Sequence, residues 1–429
     1  MSAVFERYLD LDYPCVVRGE GVRLYLDDGR EILDACSGGA MVACLGHGLE
    51  SVIARAAEQA GRLSYVYFHH FTNEPQERLA ERFLTTAAPE LARVRFTSGG
   101  SEANEMALRL VRQYHVDRGE AERWRVISPA QAYHGSTLGT LALPGRPALQ
   151  HPFGDYLAHH LHIPPGDLDA LDRVIEEAGP ETIAAFFCEP ISAAAYPAYS
   201  PSEEFWIGLE ERRRKHGFLV CFDEIVTGMG RTGSWFAYQQ LPLEPDIVSG
   251  GKGLGAGYAP LAAVICAQHV YDALANGSRE FEHGHTWDGA PLSCAVGLAV
   301  LDEFLERGLV ERVRERGPSL REELEAVVGE LDVVAEVRGR GFLLGIELRD
   351  PRDGSFLSSE LHSAELVDDV ALEHGVLVTS TNSAPDGYTG HQTLLAPAYT
   401  SSDDELGEMV SRVGAALSDV DRRIKEQLT

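Results

Sequence analysis

Between about residues 75 and 300, short β-branched or aromatic runs alternate with stretches of helical periodicity, and this alternation restricts the fold more than any other feature. The runs are RVRFTS, RVISP, TIAAFFCEP, FLVCFDEI, DIVSGG and LAAVICA. They predict βαβ units around a mostly parallel sheet covered on both faces. The flanks read differently. VRLYLDDGREILDAC, inside residues 1–65, is two strand-like runs around an Asp-Gly turn, a small hairpin. After a long helix expected near 291–314, RGPS at 316–319 punctuates the chain, and VVAEVRGRGFLLGIEL predicts a second strand pair. Helices are expected near 361–374 and 403–427, and the polar segment 379–392 reads as a loop. The expected organisation is α/β: an N-terminal segment 1–65 belonging to a smaller α+β domain, a large domain 66–315, and the rest of the small domain at 316–429.

Charge narrows the partners. The formal net charge of −29 repels a phosphate backbone or an anionic membrane, and the basic runs ERRRKH and RVRERG are interleaved with glutamate, so no nucleic-acid or membrane partner is expected. The seven cysteines are odd in number, form no C-x-x-C pair and sit mostly in apolar stretches, as reduced buried thiols do. MSAVFERYLDLDYPC has no apolar signal region and no apolar run reaches about 18 residues, so a cytoplasmic protein is expected.

Only Lys215, Lys252 and Lys425 are lysines among 37 basic residues. Lys215 fits the basic last turn of a surface helix, and Lys425 fits the polar final helix. Lys252 stands in SGGKGLGAGYAP, among glycines and small apolar residues with no neighbouring carboxylate. Desolvation there lowers an ammonium pKa and frees the amine for a Schiff base. Three other stretches supply matching parts. In RFTSGGSEANEMALRL a strand meets Ser98, Gly99, Gly100 and Ser101 and then a helix, whose free N–H groups suit a phosphate; a capped tight turn is the plainer reading. FLVCFDEI ends in Asp223 and Glu224 where ligands gather in open α/β sheets, and FFCEP repeats the pattern with Glu189. An isolated buried aspartate needs a cation or hydrogen bonds, and a protonated ring nitrogen would serve. Tyr133 and His134, in QAYHGST, offer rings for a planar ligand or are ordinary core. Lysine, carboxylate, phosphate cup and stacking ring together describe a site for pyridoxal phosphate.

The chain resembles the class III, fold-type I, pyridoxal-phosphate-dependent aminotransferases. The resemblance runs from GREILDACSGGAMVACLGHG through FTSGGSEANEMALRL, AYHGST, CEPI, FDEIVTGMGRTG, SGGKGLGAGYAPLAAV and HGHTWDGAPLSCA to VRGRGFLLGIEL and LLAPAYTSSDDEL. It implies a Schiff base at Lys252, which later carries the proton between the substrate carbon and the cofactor. It also implies Asp223 on the pyridine nitrogen, Tyr133 and Ile225 on the two ring faces, and Gly99, Gly100 and Ser101 on the phosphate. His134 and Glu189 join the cofactor pocket. Thr286, in HTWDGAP, would reach the phosphate of a neighbouring subunit, which implies a homodimer or larger homo-oligomer. Ala40, Tyr67, Phe68 and Arg340 are implied as substrate contacts, although aromatic packing in an interface suits Tyr67 and Phe68 equally. The activity implied is a ping-pong transamination from an amine or amino acid to an oxo acid.

One departure concerns substrate. Relatives that use 2-oxoglutarate often carry an arginine three residues before the proline of the APP-like motif, paired with the glutamate of the EP motif, and relatives active on simple amines often carry one six residues after that proline. Here those positions hold Leu394 and Asp403, and Glu189 lacks its usual partner. Arg146, Arg340 and His391 are substitute anion contacts or ordinary surface residues. An epimerase, a decarboxylating transaminase or an aminomutase would use the same cofactor and lysine. A dinucleotide-dependent oxidoreductase would read GKGLGA as its glycine turn, but a proline-interrupted, strand-like stretch follows instead of a helix. HHLH (159–162) and EHGH (282–285) lack metal-ligand spacing, so no metal is expected.

Overall fold

The computed structural model describes residues 3–193, 196, 198–381 and 391–429, apart from the side chains of 147 and 148. Its centre is a seven-stranded sheet. In chain order, β1 (Val16–Glu20), β2 (Arg23–Leu26) and β3 (Glu31–Asp34) precede it. The sheet itself comprises β4 (Leu91–Thr97), β5 (Arg125–Pro129), β6 (Leu161–Ile163), β7 (Ile183–Cys188), β8 (Leu219–Glu224), β9 (Ile247–Gly250) and β10 (Ala262–Ala267), in spatial order β4-β10-β9-β8-β7-β5-β6. Strands β5 to β9 pair in parallel, and only β10 runs against its neighbours β4 and β9. Every residue of β7, β8, β9 and β10 is buried, as strands covered by helices on both faces must be. Strands β4, β5, β7, β8 and β9 therefore all end on one edge of the sheet, where α/β folds collect ligands.

The terminal segments fold together. Around the Asp-Gly turn β2 and β3 pair antiparallel, Arg23 opposite Leu33, and β3 pairs in parallel with β13 (Val376–Leu377). A separate four-stranded sheet joins β11 (Val334–Arg340), β12 (Leu343–Leu348), β15 (His391–Leu395) and β14 (Thr379–Thr381). The segment read as a loop at 379–392 thus begins and ends in strands, and its middle, 382–390, lies outside the described residues.

Two expectations about the connection are corrected. The single helix near 291–314 is two, Pro291–Glu306 and Leu309–Val328, separated at Gly308, whose φ of +58° breaks the α conformation. RGPS does not interrupt the chain: Pro318 lies inside the second helix. Helix continuity costs the Pro318 ladder bond. The preceding Gly317 meets the turn at Gly341 so closely that a Cβ at 317 would lie 2.6 Å from the Gly341 Cα. The other two lysines lie on helices: Lys215 is in the last turn of Glu203–His216, and Lys425 bonds Asp421 at 2.7 Å.

Arg231 ties the lobes together. Its side chain is 1% exposed and donates to the carbonyls of Phe342 (3.2 Å) and Pro397 (2.6 Å) and to Ser37 Oγ (3.1 Å), with its guanidinium 4.5 Å from the Tyr399 ring centre. Arg231→Leu strands these buried acceptors. It is expected to cost about 2–4 kcal/mol, read as a lowered unfolding midpoint in a denaturant titration.

Candidate active site

A cavity of about 170 Å³ opens at the carboxyl edge of the sheet, and Lys252, Asp223, Glu189, Tyr133, Gly100 and Ser101 line it. Each comes from just beyond a different strand end, except the last two, which share the turn after β4. Lys252 follows β9 through Gly251 and has φ +41°, a left-handed conformation that is strained for a side-chain-bearing residue. Burial holds its amine below the usual lysine range, and the nearby Asp223 charge acts in the opposite sense.

Asp223 is the penultimate residue of β8 and is 5% exposed. Its Oδ2 accepts from Asn104 Nδ2 at 2.7 Å and from His134 Nδ1 at 2.9 Å, and its Oδ1 accepts the Ile225 N–H at 3.0 Å. Three donors aim the carboxylate, so its position in the cavity wall is fixed. The neighbouring Glu224 is structural. Fully buried, it accepts from Thr227 Oγ1 and from the N–H groups of Ala237 and Tyr238, and burial pushes its pKa up to about 7.

The turn Ser98–Ser101 leads β4 into the helix Gly100–Asp117. A Cβ at Gly100 would press to 3.1 Å on Ile225, so glycine keeps the helix start close to the cavity. Ser101 Oγ accepts the Ser136 N–H at 3.0 Å, which leaves its own hydrogen to donate. Gly135 has φ +133°, and a Cβ there would lie 2.7 Å from Ser101 Oγ.

Not every expected residue is here. Gly99 is the N-cap of the helix, outside the lining. His134 is in the lining but offers no free ring face: it is 1% exposed, bonded to Asp223 and set edge-on to Phe187. Thr286 is exposed and away from its own chain's cavity. Of the substrate candidates, Ala40 is exposed in the turn Ser37–Met41 and Tyr67 is 45% exposed. Phe68 lies under Arg95 in a separate cleft with Phe71 and His283, and Arg340 sits in another cleft beside Gln240 and Gly341. None of the four lines the cavity. Arg340 ends β11 of the separate four-stranded sheet, and Ala40 follows β3 of the N-terminal sheet. Arg146 is half-buried, outside the lining. His391 is no surface anion contact, being fully buried and bonded to Ser363 and the Leu357 carbonyl. Leu394, 2% exposed, packs in an apolar cluster with Cys36, Ala193 and Leu343, while Asp403 pairs with Arg312 and Arg316 at the start of the last helix.

Asn104 is a site residue that sequence reading missed. It bonds both Asp223 and the His134 carbonyl (2.7 Å each), and it is 1% exposed. The signal was a polar side chain one step from the apolar positions 103, 106, 107, 110 and 111 of its helix.

A depressed amine facing a fixed carboxylate at the carboxyl edge of an α/β sheet defines an enzyme site in which an amine meets a carbonyl. Comparison with known proteins narrows that class. The family model for aminotransferase class-III matches residues 8–417. The chain is 32% identical to the uncharacterized aminotransferase YodT of Bacillus subtilis, over 99% of each chain. It superposes on a transaminase from the marine bacterium Virgibacillus with a TM-score of 0.91 at 30% identity, covering 96% of this chain and 94% of that one. An amine transaminase from an uncultivated Pseudomonas species, solved in its PLP-bound form, gives 0.88 at 33% identity over 95% of each chain. The chain belongs to the class III aminotransferases, and it is a pyridoxal-phosphate-dependent transaminase of fold type I.

The residues present fit that cofactor. Asp223 suits a protonated ring nitrogen, the helix start with Ser101 suits a phosphate, and Lys252 suits an aldehyde. The Nε2 of His134 and Oδ1 of Asn104 are buried without a partner, beside the carboxylate that a ring nitrogen would meet.

Proposed function

We propose that Lys252 tethers the cofactor and acts as the proton carrier in a ping-pong transfer of an amino group from an amine or amino acid to an oxo acid. The observation that carries this reading is the depressed Lys252 pKa in a cavity shared with Asp223. Pyridoxal phosphate supplies the electron sink and holds the amino group between the two halves of the cycle. Asp223, fixed by Asn104 and His134, keeps the ring nitrogen protonated. Gly100, Ser101 and their neighbour Gly99 grip the phosphate, while Tyr133 and Ile225 bracket the ring. The Lys252 amine would serve as the base that moves the donor's carbon-bound proton. Holoenzyme mixed with a donor amine alone should lose its visible absorbance and release one oxo product; a donor that merely racemises would favour the epimerase reading.

We place two chains in the working unit. Thr286, exposed on its own chain, is then free to reach the partner's phosphate, and it adjoins the exposed aromatic pair Trp287 (54% exposed) and Tyr65. In a Trp287→Glu variant, light scattering is expected to read the mass of a single chain, with turnover lost alongside. An unchanged mass and rate would remove the pair from the interface. Cytoplasmic residence belongs to the same reading, supported by seven cysteines that are all unbonded, six of them buried. Among the described residues no helix is long and apolar enough to cross a membrane.

A further inference from the structure

Glu189 is a carboxylate in the cavity wall without a cation to answer it. It extends from the end of β7, is half-buried, and accepts only three bonds: from Ser192 Oγ at 3.1 Å, Ala193 N at 3.2 Å and Tyr133 N at 3.4 Å. Among the described residues no lysine, arginine or histidine pairs with it, and the undescribed residues contain none of those three types. The basic groups in the lining are Lys252 and His134. His134 is committed to Asp223. Lys252 is the amine that would join the cofactor, and burial holds it below the usual lysine range. With Asp223 turned to the ring nitrogen, a donor in this cavity would meet the Glu189 carboxylate, and the lining residues of its own chain offer no further cation to offset it.

We infer that Glu189 takes the distal ammonium of the amino donor, so that diamines are the preferred donor class. This rests on the transaminase reading above and deepens it. An ammonium brings three N–H donors to a carboxylate whose existing bonds are long, and charge-assisted bonds of that kind are the stronger sort. Burial pushes Glu189 up to about 7, and a cation within bonding reach opposes that shift and keeps the carboxylate ionised. A donor with a distal carboxylate would instead set like charges together in a poorly solvated wall. The transfer itself stays balanced: the diamine gives up one amino group and leaves as an amino aldehyde, and the oxo acid leaves as an amino acid.

The test uses holoenzyme and three donors of similar length, 1,4-diaminobutane, butylamine and 4-aminobutanoate, with half-reaction kcat/KM read from the loss of visible absorbance. The native enzyme is expected to prefer the diamine over butylamine by about tenfold or more, and over 4-aminobutanoate by a larger factor. In Glu189→Gln the diamine-to-butylamine ratio should fall to near one. A native enzyme that prefers 4-aminobutanoate, or a ratio that Glu189→Gln leaves intact, overturns the assignment. Should the variant fail to fold, the native donor ratios alone decide. If no amine reacts, the transaminase reading falls and takes this one with it; if butylamine reacts as well as the diamine, only the role of Glu189 falls.

Discussion

Lys252→Ala is expected to lower turnover by at least about 10⁴-fold, the largest effect of any single change in this chain. One side chain holds two jobs, covalent tether and proton carrier, so its removal takes both. The surroundings make the loss specific. The residue occupies a strained backbone conformation, and burial keeps its amine below the usual lysine range, so no other lysine can stand in: Lys215 and Lys425 are on distant helix surfaces. Lys252→Arg should fail almost as completely, because a guanidinium stays protonated and does not condense with an aldehyde. Both variants should keep their far-ultraviolet circular dichroism while losing the visible band of the bound cofactor. A variant that retains that band and native turnover would place the reacting amine elsewhere.

The second large effect is expected at Asp223. Asp223→Ala should retain part of its cofactor, since Gly100, Ser101 and Lys252 remain, yet lose about 10²–10⁴-fold in kcat. Without a fixed anion there, nothing would favour a protonated ring nitrogen, and the cofactor would be a weaker electron sink. The change also leaves Asn104 and His134 without their shared acceptor, so some stability loss should accompany it. Bound cofactor counted by absorbance, set against kcat per occupied site, separates the two effects. Full activity per occupied site would remove Asp223 from the chemistry.

The central sheet could be read from sequence because its strands are buried on both faces and appear as compact apolar runs between helical patterns. Lys252 stood out because lysine is rare here and the stretch around it is apolar. Other features needed the third dimension. Nothing local in RGPS reveals that the helix runs on through Pro318, with Gly317 against Gly341. His134 and Tyr133 are adjacent in sequence, but one turns inward to Asp223 and the other borders the cavity, a division set by the tight turn at Gly135. Ala40, Tyr67, Phe68 and Thr286 are outside the cavity of their own chain. Their expected roles came from family resemblance, and the geometry of a single chain does not bring them to the site.

Borohydride reduction of the holoenzyme followed by peptide mapping tests the central claim most directly. The expected result is one peptide, spanning SGGKGLGAGYAP, that carries the mass of reduced pyridoxal phosphate on Lys252. The same mass on Lys215 or Lys425, or on no lysine at all, would contradict the account.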